Sequence, residues 1–275
     1  MIADYHIHTP YCGHAQGKTI EYIEAAIEAG IPEIGFADHL GRYYLSRSQR
    51  KRYWDWGMNE ATLARYYTEV SDLRDSFADQ ITIKIGLEVD YIEGAEELLE
   101  PIVALYPLDF LLGSIHCLPK FGWRHLARNT KVRPEDVYTE YFTCAQSAAE
   151  SGLFDILAHL DFVWRYVPWP EQRTDEILNN IDRVIAAAAG SRTCIELNTN
   201  GYVWSAINDR DGADPFEQMI GSIRAHKACI TLGSDAHAPA TVGKSVDEMA
   251  VYAARKGIKS LSLFSRHNGR RARLG

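Results

Sequence analysis

Short apolar runs alternate with longer amphipathic segments along the whole chain of 275 residues. This order limits the fold strongly, because strand, helix, strand repeats place parallel strands side by side with right-handed crossovers. The predicted strands are Ile2–His6, Glu33–Ala37, Ile81–Val89, Asp109–Ser114, Asp155–Ala158, Thr193–Leu197 and Ile230–Gly233, with a possible eighth at Ser260–Phe264.

Helical patterns fill the intervals between these runs. Thr19–Ala29 places Ile20, Ile23 and Ile27 on one face and stops at Gly30, a usual C-terminal signal. At this length, one α/β barrel domain over residues 1–275 is favoured, although periodicity alone leaves an open sheet as the alternative. The other predicted helices are Glu60–Phe77, Glu96–Leu105, Pro134–Ser151, Thr174–Ala189, Pro215–Ala225 and Val246–Lys256.

Composition excludes several classes of protein. Lys and Arg number 29 and Asp and Glu 37, a net charge of −8, which argues against a protein that coats nucleic acid. No signal peptide and no apolar stretch of about 20 residues is visible, which predicts a cytoplasmic protein with no membrane partner. The cysteines form no CxxC pair, so reduced thiols are expected; they are Cys12, Cys117, Cys144, Cys194 and Cys229.

The ten histidines are unevenly distributed. Apart from His14, which lies in the first loop, every candidate metal ligand lies at the C-terminal end of a predicted strand. In parallel α/β barrels these ends meet at one face, so residues distant in sequence come together there. The strand-end candidates are His6, His8, His39, Glu88, His116, His159, Asp235 and His237.

The spacing of these residues predicts a metal centre. His6 and His8 stand two apart on a strand, so both side chains point to one face and can hold one ion. Neutral imidazoles with a few carboxylates suit Zn, Mn or Fe, and because no cysteine joins the pattern, a closed structural zinc site is not expected. A single strand-end histidine is more often structural, but the whole set favours metal. The structural interpretation holds for His125, His226 and His267, with substrate contact an alternative for His125.

Seven short motifs follow one another along the chain: HIHTPYCGHA, GFADH, GLEVDYI, LLGSIH, ILAHLD, ELNTNG and GSDAHAPATVG. Each is weak alone, but the ordered set resembles the PHP (polymerase and histidinol phosphatase) family, most closely its monofunctional histidinol-phosphatase branch. The resemblance implies a distorted (β/α)7 TIM-like barrel with two or three divalent transition metal ions.

The resemblance also implies how the ligands are shared. Glu88 would bridge two of the ions. The first ion would be held by His6, His8, Glu88 and Asp235, the second by Glu88, His116 and His159, and the third by His14, His39 and His237.

The implied activity is hydrolysis of a phosphate monoester, with a metal-bridging hydroxide attacking phosphorus. Glu88, Asp235 and His237 are the expected catalytic residues; Asp235, His237 or a metal-bound water would protonate the leaving alkoxide. Arg165 is the expected phosphate clamp, since a guanidinium matches phosphate oxygens bidentately. Asn198 is a further candidate substrate contact, with a structural role as the alternative.

Basic and aromatic residues interleave in the loop 41–58. This mixture suits a lid over an anionic, ring-bearing substrate, with Arg42 in contact with it; a nucleobase platform or a packed surface loop are the alternatives. The loop contains Arg42, Arg47, Arg50, Lys51 and Arg52 beside Tyr43, Tyr44, Tyr53, Trp54 and Trp56. Residues 266–275 form a basic tail without an assigned role.

Three other functions remain open from the sequence. A nuclease or nucleotide phosphatase on the same fold is the nearest, although the acidic net charge argues against it. An amidohydrolase would carry a bridging lysine where His116 stands. A metal-stabilised binding module would have lost some ligands, and none is lost. The expected partner is therefore a small phosphorylated substrate rather than nucleic acid, and the sequence leaves the oligomeric state open.

Overall fold

The computed structural model describes residues 2–50, 57–128, 131–170, 172–200 and 215–274. Its strands, all found within two residues of a predicted run except for β5, β6 and β11, surround a buried apolar core. In chain order they are β1 (Ala3–Ile7), β2 (Glu33–His39), β3 (Thr82–Asp90), β4 (Phe110–Ser114), β5 (Cys117–Leu118), β6 (Arg124–His125), β7 (Ile156–Leu157), β8 (Cys194–Asn198), β9 (Ile230–Gly233), β10 (Ser260–Ser265) and β11 (Asn268–Arg273).

Seven of these strands form one parallel sheet in the order β1-β2-β3-β4-β7-β8-β9. The two edges approach each other just beyond β9. The backbone N–H of His8 donates to the carbonyl of Ala236 at 2.9 Å, and the N–H of Ala236 donates to the carbonyl of His6 at 3.2 Å. This bridge makes a nearly closed barrel, which confirms the predicted TIM-like fold.

The helices connect successive strands, as the alternation in the sequence predicts. The longer ones agree with their predicted bounds to within two residues, and the short α2 was not predicted. They are α1 (Thr19–Glu28), α2 (Arg47–Arg50), α3 (Glu60–Ser76), α4 (Glu96–Val103), α5 (Pro134–Glu150), α6 (Thr174–Ser191), α7 (Pro215–His226) and α8 (Val246–Arg255). No helix among the described residues is long and apolar enough to cross a membrane.

The possible eighth strand is not part of the barrel. β10 pairs antiparallel with β11, so the expected basic tail is the second arm of a hairpin. Arg266 and His267 form its two-residue turn with φ of 48° and 61°, the left-handed pattern of a type I′ turn that reverses the chain.

This hairpin covers the amino end of the barrel. The backbone N–H of Phe264 donates to the Tyr5 hydroxyl at 2.8 Å, and the rings of Tyr5 and Phe264 lie 5.7 Å apart. The Phe110 ring packs 5.0 Å from Tyr5. A Cβ on Gly35 or Gly86 would lie within 2.8 Å of that ring, so glycine is required at both positions.

One expectation about the cysteines is wrong. A disulfide joins Cys194 at the start of β8 to Cys229 just before β9, with Cα atoms 4.6 Å apart. The two residues are 35 apart in sequence; parallel pairing of the strands brings them together, which sequence spacing did not reveal. Cys12, Cys117 and Cys144 are free thiols.

Candidate metal centre

The carboxyl end of the barrel gathers all nine predicted ligands. His6 lies on β1, His8 directly follows that strand, and Glu88 lies near the end of β3. All three are at least 99% buried. The register pairs His39 of β2 with Glu88. Parallel pairing thus aligns the strand ends and brings these side chains to one point.

Glu88 lies at the centre and presents its two oxygens to different histidines. Oε2 lies 3.2 Å from His6 Nε2, 3.5 Å from His8 Nε2 and 2.8 Å from His39 Nδ1. Oε1 lies 3.0 Å from His159 Nε2 and 3.4 Å from His116 Nε2. A carboxylate whose two oxygens face different sets of histidines can bridge two ions.

Asp235 completes the group around His6 and His8. Its Oδ1 lies 3.7 Å from His6 Nε2 and 3.3 Å from His8 Nε2. The residue adopts φ of 55°, a conformation that costs a non-glycine residue free energy and often marks a functional site. Gly233 makes room for Glu196 and His6, because a Cβ there would lie 2.0 Å from Glu196 Oε1 and 2.6 Å from His6 Cβ.

A third group joins the last residue of β2 to residues from two separate loops. His14, His39 and His237 each offer a ring nitrogen, and these atoms lie within 4.8 Å of one another. The His14 and His237 rings are 4.6 Å apart, and the His8 and His237 rings 4.0 Å. Donor atoms of His6, His8 and Asp235 also lie within 4.8 Å of one another, and so do those of His6, Glu88 and His159.

Buried carboxylates behind the histidines were missed by sequence reasoning. Glu196 lies 2.7 Å from His6 Nδ1, Asp90 lies 2.8 Å from His116 Nδ1, and Asp38 lies 3.5 Å from His8 Nδ1. Such partners fix the orientation of metal-binding imidazoles and leave the other nitrogen free to bind. Asp90 stands two residues after Glu88 on one strand, and this alternation was a usable signal.

The pKa values of several candidate ligands favour the binding of cations. Burial alone would raise the pKa of Glu88, but His39, His6 and His116 outweigh it and hold that pKa well below its usual range. Burial lowers the pKa of His39 to about 3 and that of His237 to about 4. Both imidazoles are therefore neutral at pH 7, the form that binds metal.

Several buried ring nitrogens have no hydrogen-bond partner among the described residues. They include Nε2 of the fully buried His8 and Nε2 of His237. Unsatisfied buried polar atoms are costly and rare in native proteins. Because they lie among other imidazoles and carboxylates, the donor set fits transition metal ions.

Cys12 corrects the expectation that no cysteine joins the pattern. Its Sγ, a nitrogen of His8 and a nitrogen of His237 lie within 4.8 Å of one another. The thiol is 3% exposed, and contacts with His14 and His8 lower its pKa to about 7 against the effect of burial. Cys12 follows a turn after the HxH strand, and the fold rather than a ligand spacing brings it close.

A cavity of about 360 Å³ opens beside the centre. Ligand candidates form one part of its wall, and aromatic side chains with Arg165 form the other. His125, interpreted from sequence as structural, lies in this wall because the short β5–β6 hairpin turns it inward. The lining residues are His14, His39, His116, His125, Phe162, Arg165, Tyr166, Asn200, Asp235 and His237.

Arg165 is held between two polar partners at this cavity. Its Nη1 donates to Asp235 Oδ2 at 3.1 Å, and its Nη2 donates to Asn198 Oδ1 at 2.9 Å. Asn200, missed from sequence, donates to the Ser234 carbonyl at 3.3 Å. The guanidinium therefore lies in a defined position beside the candidate ligands.

Two predicted substrate contacts lie elsewhere. The Arg42 guanidinium is 2% exposed and donates to Asp90 Oδ2 at 2.7 Å, so it supports the carboxylate behind His116 and does not line the cavity. Asn198 is fully buried and holds Arg165 from behind. The structure thus places Arg42 behind the candidate ligands, and it places Asn198 in the structural role that was the alternative for it from sequence. Residues 51–56 of the predicted lid lie outside the described residues.

Comparisons with known proteins agree with this geometry. The PHP domain family matches residues 4–200. The probable histidinol-phosphatase of Deinococcus radiodurans is 30% identical over 250 residues, 88% of this chain and 88% of that protein. The histidinol-phosphatase of Bacillus subtilis is 26% identical over 261 residues, 87% of this chain and 95% of that protein.

A solved structure has the same fold. The crystal structure of histidinol phosphate phosphatase from Lactococcus lactis, complexed with Zn, L-histidinol and phosphate, superposes with a TM-score of 0.81. It is 21% identical in sequence, and the match covers 98% of each chain. With the family match extending over most of the sequence, from β1 to the end of β8, this chain belongs to the PHP domain family.

Proposed function

We propose that this protein is a metal-dependent phosphomonoesterase that converts L-histidinol phosphate and water to L-histidinol and phosphate. The observation that carries the proposal is that the two oxygens of Glu88 face different histidines. Two of these, His39 and His116, line the cavity that Arg165 also lines. The names of the relatives and the ligands of the Lactococcus lactis structure support the choice of substrate. The reaction would belong to histidine biosynthesis in the cytoplasm.

The residues fit two or three ions of Zn, Mn or Fe. One set would be His6, His8, Glu88 and Asp235; a second would be Glu88, His116 and His159; the third would be His14, His39 and His237. When bound, such ions lower the pKa of water and neutralise the charge of phosphoryl oxygens.

The chain itself would bind and orient the phosphate. Arg165 presents two N–H groups that now donate to Asp235 and Asn198, and a guanidinium in this position matches two phosphate oxygens. Asn198 and Asn200 would keep that orientation from behind and beside. Asp235 and His237 also line the cavity, where either would relay a proton from water to the leaving oxygen; direct protonation by a metal-bound water is the alternative.

The organic part of the substrate would lie against the aromatic wall. His125 packs edge-to-face on Phe162 and Tyr166, with ring centroids 5.8 and 5.4 Å apart. Burial lowers the pKa of His125 to about 4, so its ring is neutral at pH 7. A flat neutral surface of this kind suits the imidazole of histidinol by stacking.

The test is phosphate release by the metal-loaded protein from a panel of esters. L-Histidinol phosphate, sugar phosphates, nucleoside monophosphates and a short single-stranded oligonucleotide would be compared by kcat/KM. We expect L-histidinol phosphate to be preferred by about a hundredfold, equal to about 2.7 kcal/mol of discrimination. Equal or faster turnover of a nucleotide would favour the alternative PHP phosphoesterase, and no release from any ester would contradict both.

Arg165 gives the proposal a second test. Arg165→Lys keeps the positive charge but loses the two-pronged guanidinium group. We expect kcat/KM for phosphate esters to fall by about tenfold to a hundredfold, because one or two charged hydrogen bonds to the phosphate are lost. Arg173→Lys, on the exposed start of α6, is the matched control. Unchanged kinetics in Arg165→Lys would remove this residue from phosphate binding.

A further inference from the structure

A second cavity, of about 340 Å³, lies at the opposite end of the barrel. It is bounded by the end of α7, the turn between α8 and β10, and the β10–β11 hairpin. Ala228 and Cys229, which precede β9, place it at the amino ends of the strands. The polar residues that line it are Arg224, Lys227, Lys259, Ser260, Ser262 and Arg271.

The charge of this cavity is of one sign. Four of the lining residues are cationic, and no aspartate or glutamate of the described ranges lines the cavity. Among the described residues none of these four cations forms an ion pair, whereas nearby Lys256 pairs with Glu217 at 2.6 Å and Arg270 with Glu33 at 3.6 Å. In a chain of net charge −8, four unpaired cations around one cavity mark a site of positive potential that attracts anions.

The backbone holds these cations around the cavity from different elements. Arg224 belongs to α7, and Lys227 follows it in a turn with φ of 54°. Arg271 stands opposite Ser262 in the hairpin register, and Lys259 immediately precedes β10. Ser262 is 6% exposed, so its hydroxyl group provides a polar position in the cavity wall.

We infer that this cavity binds a small anion that carries two or more phosphate groups. Arginine forks and lysine ammonium groups are the side chains that bind phosphate oxygens, and four of them exceed the charge of one phosphate monoester. The cavity is similar in volume to the catalytic one, about 340 against about 360 Å³. A site of this size on an acidic protein favours a small molecule over nucleic acid.

The test measures binding of radiolabelled inorganic pyrophosphate to the metal-loaded protein by equilibrium dialysis, with excess Mg²⁺ to prevent removal of the bound ions. The double variant Lys259→Ser with Arg271→Ser is compared with Arg255→Ser with Arg266→Ser. Both pairs remove two exposed positive charges, but only the first pair lines the cavity. Lys227→Glu, from another wall, is an independent variant.

We expect the cavity pair and Lys227→Glu to lose one equivalent of bound pyrophosphate or to weaken it at least about tenfold. The control pair should bind as the wild type does, and phosphatase turnover should be unchanged in all variants. Equal loss in the control pair would overturn the site, because bulk charge would then explain binding. Tighter binding of a single-stranded oligonucleotide through the same residues would overturn the assignment to a small anion.

Discussion

Buried polar groups are arranged differently at the two ends of the barrel. At the carboxyl end, histidines and carboxylates converge on Glu88, and Nε2 of His8 and Nε2 of His237 have no hydrogen-bond partner in the part of the chain that the structure describes. At the amino end, Tyr5 is paired with Glu33, and its ring packs against the Phe110 ring. The carboxyl end therefore presents donor atoms that are not used within the protein, whereas these groups at the amino end contact each other. Substitutions at the two ends should therefore separate activity from stability.

The largest effect is expected at the carboxyl end, from Glu88→Gln. An amide keeps the shape of the side chain but loses the negative charge that two sets of histidines share. We expect loss of bound metal and a fall in turnover on the order of a thousandfold, since metal ions contribute several kcal/mol to such reactions. Metal analysis and kcat/KM for L-histidinol phosphate measure both.

The control for this variant is Glu217→Gln, at an exposed carboxylate on α7 that pairs with Lys256. It should keep its metal and its turnover. If Glu88→Gln also kept both, the bridging role of this carboxylate would be wrong, and the contrast between the two ends would lose its main support.

At the amino end, Phe110→Ala should change stability instead. The ring is fully buried against Tyr5 and fills the space that Gly35 and Gly86 leave. Its removal leaves a cavity, and we expect a loss of about 3–5 kcal/mol in the free energy of unfolding, measured by urea denaturation. Turnover per folded molecule and metal content should stay at the wild-type level; a specific loss of activity would show that the two ends are coupled.

Glu196→Gln sharpens the comparison, because this residue is buried at the carboxyl end without being a proposed ligand. The carboxylate lies 2.7 Å from His6 Nδ1 and accepts the backbone N–H of His159 at 2.7 Å. Glutamine replaces one of the two carboxylate oxygens with an NH₂ group, which donates. It therefore cannot keep both contacts, with His6 and with the N–H of His159. We expect metal affinity and turnover to fall by about ten to a hundredfold. Titration of metal into apo protein measures the first; an effect on stability alone would make the role structural.

Most of the fold was predictable because it depends on local pattern. Alternating runs set the seven barrel strands, and the strand ends then set where His6, Glu88 and Asp235 meet. The positions of the candidate ligands at strand ends follow from topology, since any parallel barrel brings its strand ends together. The carboxylates behind the histidines were harder to predict. In the sequence, Asp38 and Glu196 do not differ from other polar residues near a strand end.

The errors share a physical cause, which is dependence on contacts distant in sequence. Arg42 was expected to reach substrate because it stands in a basic, aromatic loop, but Asp90 on the neighbouring strand binds its guanidinium. The pairing of Cys194 with Cys229 depends on the register of β8 and β9. The eighth run has the composition of a barrel strand, and only the turn at Arg266 and His267 directs it into a hairpin.

The smallest effect is expected in that turn, where His267 Nδ1 lies 2.7 Å from Asp155 Oδ2. The hydrogen bond with Asp155 raises the pKa of His267 above its usual 6.5. The pair therefore stabilises the fold fully below the unfolded pKa, and this contribution is lost as pH rises through the folded pKa. The side chain is 49% exposed, so solvent screening keeps the contribution small.

His267→Asn removes the pair but keeps a residue that tolerates the left-handed turn. The wild type should be more stable than this variant at about pH 5.5, and the difference should shrink by about pH 8.5, because the imidazole loses its charge between them. Urea denaturation at both pH values measures the difference. A difference of equal size at both would mean that the contact acts as a neutral hydrogen bond. Turnover should not change in either case, because the carboxyl end contains every proposed ligand and this pair lies at the other end.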